Sequence, residues 1–271
     1  MLPRQHSPPA YFRLVVSRET TSVLVLTATP LFHVKQLHCR SMQHTDVERC
    51  EQLIGRTLSE TQKSQLRSYA DWLADEALVA GGIGPREVDR LWDRHILDSA
   101  AFRVVLPADG ATGAPIVDIG SGVGLPGIVL AILLPSTSVT LLDRSGRRHT
   151  LQKRALRILE LTNCVAVQQD IPEQPIPHGI RVFRASLTAQ EVLSLQASYP
   201  YHSASILALT RRMDSAIPET LAAEAARVGV GVRLERVGAD VLDSPASFLI
   251  MTSLEQVEEQ GFSWQRRQRR S

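Results

Sequence analysis

The 271-residue sequence predicts an α/β protein: a mostly parallel sheet covered by helices, with a helical extension at its N-terminal side. Three observations predict it. From about residue 115 onward, short apolar runs alternate with helix-length amphipathic segments, the pattern of strands joined by crossover helices. The first strand runs directly into "DIGSGVGLPG", residues 118–127, a glycine turn that opens a helix. The preceding stretch up to residue 106 has no such alternation and carries its apolar residues at helical spacing.

Residues 1–41 stand apart. They are rich in Arg, His, Ser and Thr, and Glu19 is their only acid. Their apolar run, Val23 to Leu26, is too short for a secretory signal. The expectation is an unstructured leader, or a natural start at Met42. Ser59 with Gln62 then forms a capping-box signature, and Leu66, Tyr69, Leu73 and Ala77 follow on one helical face. Gly81 and Gly82 stop that helix, and Pro85 suits the first turn of the next, whose apolar face includes Val88, Leu91, Trp92 and Ile96. Residues 42–106 therefore read as a helical N-terminal lobe, 107–255 as the α/β domain, and 256–271, ending in "QRRQRRS", as a basic tail.

Within the α/β domain, strands are expected near 115–119, 138–142, 164–168, 180–184, 204–210, 230–237 and 246–253. Helices fit near 126–134, 145–160, 188–198 and 218–228. Little separates the last two strands, so they are expected to form a hairpin with one strand antiparallel.

Composition bounds the function. Hydrophobic residues make up 44% and charged residues 21%, enough apolar surface for a packed core. The net charge of +2 does not by itself argue for nucleic acid. Cys39, Cys50 and Cys164 are too widely spaced for a disulfide framework or a zinc site, which points to a reducing, cytoplasmic setting. No apolar run approaches the roughly 20 residues that span a bilayer. His149 and His178 have no ligand-spaced partners, so no metal site is expected. "IGSGVG" lacks the glycine a nucleophile elbow requires, and "SPPAY" at 7–11 only approximates an amine-methylation motif.

The glycine turn carries the chemistry. It lies at the carboxyl end of the first strand, where open α/β sheets bind ligands, and glycine lets a ligand approach the backbone closely. Two cofactor classes compete. Gly122, Gly124 and Gly127 satisfy G-x-G-x-x-G, the dinucleotide fingerprint, and Asp143 follows about 20 residues on, where a ribose-binding acid belongs. Asp118, however, makes the stretch D-x-G-x-G-x-G, a form similar to motif I of S-adenosylmethionine-dependent methyltransferases. Charge separates the two: a carboxylate repels a pyrophosphate and attracts a sulfonium and an ammonium. The methyl donor is the preferred reading, and a nicotinamide-dependent oxidoreductase the alternative. Asp143 is suited to accept from ribose hydroxyls or to cap the next helix, two compatible roles. Asp170 is placed either to meet the adenine amino group or to sit in a solvated turn.

Longer stretches resemble one family, the glucose-inhibited division protein B (RsmG) family of 16S ribosomal RNA guanine-N7 methyltransferases. "DIGSGVGLPGIVLAI" matches its narrow glycine motif, and "RHILDS", residues 94–99, its preceding helical motif. "LLDRSGRRHTLQKRALRILELTN" is similar to its second strand and following helix, and Arg184-Ala185 to the Arg-Ala pair ending its fourth strand. The resemblance covers roughly residues 50 to 210. It implies a Rossmann-like class I S-adenosylmethionine-dependent methyltransferase sheet of seven strands with an N-terminal helical extension. It also implies a guanosine of 16S ribosomal RNA, in the small ribosomal subunit, as substrate. The candidate cofactor residues are then Asp118, Gly120, Ser121, Gly122, Gly124 and Leu125, with Asp143, Arg144, Asp170, Ile171 and Arg184 at the following strand ends. Arg184 is also the candidate for positioning the substrate. Arg94, His95, Arg147, Arg148 and Arg211 are the candidate RNA contacts, within a wider cationic cluster that includes Lys153, Arg154 and Arg157. Some family positions are replaced: Asp170 stands for an arginine, Thr210 for a lysine and Arg211 for a glycine. A divergent member that holds the methyl donor with altered activity is a further alternative. A monomer is expected.

Overall fold

The computed structural model describes residues 45–106, 114–171, 175–199, 204–209 and 216–254. The leader at 1–41, "SPPAY", Thr210, Arg211 and the basic tail lie outside the described residues. The α/β part begins with β1 (Ile116–Ile119), α4 (Gly127–Leu133), β2 (Val139–Asp143), α5 (Gly146–Ile158) and β3 (Cys164–Gln168). It continues with β4 (Ile180–Arg184), α6 (Ala189–Ser198), β5 (Ser205–Ala208), α7 (Glu219–Arg227), β6 (Val230–Val237) and β7 (Ala246–Ser253). Each strand and helix expected in this region is present, with ends shifted by a residue or two.

The seven strands form one sheet in the order β3-β2-β1-β4-β5-β7-β6. The pairs from β3 to β5 are parallel, and β7 runs antiparallel to both β5 and β6, the expected hairpin. The chain leaves β1 toward β2 and β3, then returns to place β4 on the other side of β1. That reversal opens a crevice at the carboxyl ends of β1 and β4.

Side chains alternate across the sheet and feed two cores. On one side, Leu141, Val182 and Ile250 pack with Leu66, Phe102 and Ile128. On the other, Val117, Phe183 and Leu249 pack with Val192 of α6 and Leu221 of α7. Phe102 meets Phe248 edge-on with centroids 4.7 Å apart, fastening a helix that precedes the sheet to β7.

That preceding region holds α1 (45–54), α2 (Glu60–Trp72) and α3 (Asp98–Val105). The capping box forms as expected: Gln62 N–H donates to Ser59 Oγ (3.2 Å), and Ser59 N–H to Gln62 Oε1 (3.0 Å). The Gly81 and Gly82 N–H groups close the helix end on Leu78 and Ala77 carbonyls. Two features were not expected from spacing. Leu73–Ala77 and Trp92–Leu97 are widened π-helical turns, and Pro85–Arg90 is a 3₁₀ turn. A 3.6-residue repeat cannot distinguish a π-turn from an α-turn over five or six residues; such turns are frequent at functional sites.

Candidate cofactor and substrate site

Asp118 is the last but one residue of the fully buried strand β1 and is 0% exposed. Its Oδ2 accepts from Gly127 N–H at 2.7 Å, which ties the strand to the start of α4. A Cβ on Gly127 would meet Leu141 Cδ2 at 2.2 Å and Asp118 Oδ2 at 2.8 Å, so this helix–strand approach requires glycine. The other carboxylate oxygen, Oδ1, is buried without a partner among the described residues. Burial raises the Asp118 pKa to about 7, with Asp143 adding to the rise and the Gly127 bond and Arg184 opposing it. This carboxylate is therefore short of positive charge.

Gly122 sits in the left-handed region at φ +60, and a Cβ there would meet nothing within 4 Å. The turn is thus open at Gly122, where a ligand can lie against bare backbone. Gly120 and Gly124 are closed: their Cβ atoms would strike Ser186 at 2.5 Å and Ile128 at 2.4 Å. Ser121 and Leu125 are buried beneath the turn.

Asp143, 3% exposed at the end of β2, accepts from Gly122 N–H at Oδ2 and from Ser145 N–H at Oδ1, both at 2.9 Å. It anchors the glycine turn and the β2–α5 turn together. The cap of α5 is Ser145, whose Oγ accepts from Arg148 N–H at 3.4 Å, so the capping role considered for Asp143 falls to its neighbour. Arg144 is exposed, and its carbonyl accepts from Gln168 Nε2 at 3.3 Å. Asp170 is half-buried just beyond β3, after Gln169, whose N–H donates to the Asp143 carbonyl at 3.1 Å. Ile171 packs against the second core.

Arg184 ends β4 on the opposite wall of the crevice. Its Nη2 donates to the Arg94 carbonyl and reaches Nδ1 of His95 at 3.2 Å. The His95 side chain is only 12% exposed, and its ring faces Arg184. Burial, then the charge of Arg184, lowers the His95 pKa to about 4, and the ring is neutral at physiological pH. Burial also lowers the Arg184 pKa, against the attraction of Asp98 and Asp118.

The cationic cluster on α5 divides. Arg154 is held by Glu76, with Nη2 at 3.0 Å from Oε1, and Arg148 lies 3.5 Å from Asp143 Oδ2. Arg147, Lys153 and Arg157 are exposed on the same helix. Two supporting residues were not foreseen. Buried Gln152 donates through Nε2 to Ser121 Oγ and to the Gly122 carbonyl, both at 2.8 Å, and Tyr69 donates to the Val123 carbonyl at 3.1 Å. Gln152 carried a usable signal, a polar residue on the helical stripe that includes Ala155 and Leu156. Tyr69 carried none, because its apolar ring fits the core face of α2 equally well.

A family model described as GidB, rRNA small subunit methyltransferase G, matches residues 62–225, more than half of the chain. A ribosomal RNA small subunit methyltransferase G of Thermobifida fusca (strain YX) is 45% identical over 112 residues, 41% of this chain and 44% of that protein. The chain thus matches less than half the length of that relative. A namesake from Mycobacterium sp. (strain JLS) is 35% identical over 188 residues, 66% of this chain and 80% of that protein. Among solved structures, magnesium protoporphyrin IX methyltransferase from Synechocystis aligns with a TM-score of 0.41 and 14% identity, over 81% of this chain and 96% of that one. Together with the glycine turn and its buried carboxylate, the match over residues 62–225 establishes that this chain belongs to the rRNA small subunit methyltransferase G (GidB) family.

Proposed function

We propose that the protein transfers a methyl group from S-adenosylmethionine to N7 of a guanosine in 16S ribosomal RNA. The observation that carries this is the buried Oδ1 of Asp118 on β1, unpartnered among the described residues, followed in the next turn by the open backbone at Gly122. That pair suits a ligand that is cationic and lies close to the main chain, and a pyrophosphate would be repelled there. Family membership supports methyl transfer over the nicotinamide alternative.

The bound cofactor supplies an electrophilic methyl on a sulfonium. The chain's residues have the remaining work. Asp118 attracts the positive end, Gly122 leaves room at the turn, and Asp143 with Gln152 holds the turn in shape. Asp170 and Ile171 line the far side beyond β3. Guanine N7 carries a lone pair and no proton, so its attack needs no general base. Alignment and exclusion of water suffice, which is consistent with a site whose histidine on the β4 side, His95, is neutral and bonded to Arg184. Arg184 positions the substrate from the β4 wall, and the exposed Arg147, Lys153 and Arg157 attract RNA phosphates.

We further read the protein as a monomer acting on small ribosomal subunits in the cytoplasm. In support, Cys50 and Cys164 are free, buried thiols, and no helix among the described residues is long and apolar enough to cross a membrane. The test is incubation with labelled S-adenosylmethionine and small subunits from a strain lacking the gene. Label at N7 of one 16S guanosine is expected. Unlabelled RNA, with cofactor binding demonstrated in the same preparation, would refute the assignment.

A further inference from the structure

Arg184 emerges from β4 with Nη2 engaged by the Arg94 carbonyl and His95 Nδ1, both on the π-helical turn Trp92–Leu97. Both of these bonds are made by Nη2, at one end of the guanidinium, and the residue is half-buried at the crevice. The next residue, Ala185, adopts φ +55, a left-handed conformation uncommon outside glycine. That turn brings Ser186 against Gly120, closing β4 onto the glycine turn. Backbone strain of this kind persists where surrounding contacts over-determine the geometry. The end of β4 is therefore held from two sides, by the glycine turn and by the π-helical turn.

We propose that His95 is a positioning residue: its neutral imidazole, accepting at Nδ1 from Arg184 Nη2, locks the guanidinium so that Nε and Nη1 face the substrate nucleotide. This rests on the methyltransferase reading above. An arginine on a crevice wall otherwise carries rotamer entropy, which it loses on engaging its target. Two acceptors on a partly buried turn remove that freedom in advance. Acceptance at Nδ1 places the ring proton on Nε2, which lies 3.5 Å from Glu87 Oε2 on the 3₁₀ turn without a hydrogen bond to it. The charged groups facing the ring are Arg184 from β4, Glu87 from the 3₁₀ turn and Arg94 from its own turn; the two arginines disfavour a protonated ring and Glu87 favours it. A cationic imidazole would repel Arg184 and lose the acceptor.

The geometry sets an unusually selective test. Asparagine carries a polar atom near the position of a histidine Nδ1, and glutamine near that of Nε2. His95→Asn is expected to retain turnover within about threefold, while His95→Gln and His95→Ala lose about tenfold or more in kcat, the effect of a lost hydrogen bond to a charged group. Affinity for S-adenosylhomocysteine should be unchanged in all three. His95→Ala should add nothing further in an Arg184→Ala background. Equal turnover by the Asn and Gln variants, or additive losses with Arg184→Ala, would overturn the positioning role while leaving the methyltransferase reading intact. Failure of the unmutated protein to methylate small subunits would refute that reading itself. Nitrogen chemical shifts of His95 give a readout independent of activity. A neutral ring protonated at Nε2, changed in Nδ1 shift by Arg184→Ala, is expected, and a cationic ring at neutral pH would overturn the proposal.

Discussion

Replacing the motif carboxylate should stabilise the protein at high pH while weakening cofactor binding. Asp118 is fully buried, and its pKa rises from 3.8 in the unfolded chain to about 7 in the fold. Between these values the folded state holds a proton that the unfolded state has released, so stability is greatest at low pH and declines as pH rises through 7. At about 1.36 kcal/mol per pKa unit, the full difference is about 4 kcal/mol, of which about 3 kcal/mol falls between pH 5 and pH 8. Asp118→Asn removes that charge. Its amide oxygen can still accept from Gly127 N–H, but its NH₂ group takes the place of the unpartnered Oδ1, at a cost of about 1–3 kcal/mol. The variant should therefore exceed the unmutated protein by about 1–3 kcal/mol at pH 8 and fall level with it or below it at pH 5. Urea denaturation of the ligand-free proteins at both pH values measures this, and the difference between them cancels other titrating groups. Cofactor affinity should drop in the variant. In the unmutated protein, binding should release protons below pH 7, as seen by calorimetry in two buffers. A stability difference that does not change with pH would show that Asp118 is not the strained carboxylate inferred from its burial.

Two glycines should separate packing from approach. Gly127→Ala forces a methyl into Leu141 and the Asp118 carboxylate and should cost about 1–3 kcal/mol in thermal or urea unfolding. Gly122→Ala meets no neighbour, so it should cost only about 1 kcal/mol, for the left-handed backbone, yet weaken S-adenosylhomocysteine binding more than that loss explains. Equal effects of the two on binding and stability would remove the distinction. Replacing Arg147, Lys153 and Arg157 together by glutamine should reduce the slope of log affinity for ribosomal RNA against log salt by about 2, at roughly 0.7 to 0.9 per lost phosphate contact. An unchanged slope would place the RNA elsewhere.

The order of elements was legible in the sequence because hydrophobic period is a local property. β3 at Cys164–Gln168 and the hairpin of β6 and β7 stand where apolar runs and intervening turns placed them. The glycine turn was legible for the same reason: removing side chains at alternate positions leaves a mark on the chain itself. Asp118 was legible by position, two residues before Gly120, but not by state. Its raised pKa comes first from burial, with Asp143 adding to it and Arg184 opposing it, and all three depend on elements far along the chain. The widened turns at Leu73–Ala77 and Trp92–Leu97 left no mark, because their hydrogen bonds span only one residue more than those of an α-helix.

The sequence by itself determined the α/β class, the strand set, the glycine turn and the sign of charge beside it, all of which follow from short-range pattern and residue chemistry. Tertiary structure alone decided the partnerships. Gln152 bonds the glycine turn across 31 positions of sequence to Ser121, and Arg184 reaches back 89 positions to His95. Hydrogen bonds of that separation depend on where the parallel sheet brings strand ends together, and no local period encodes which distant side chain will arrive there.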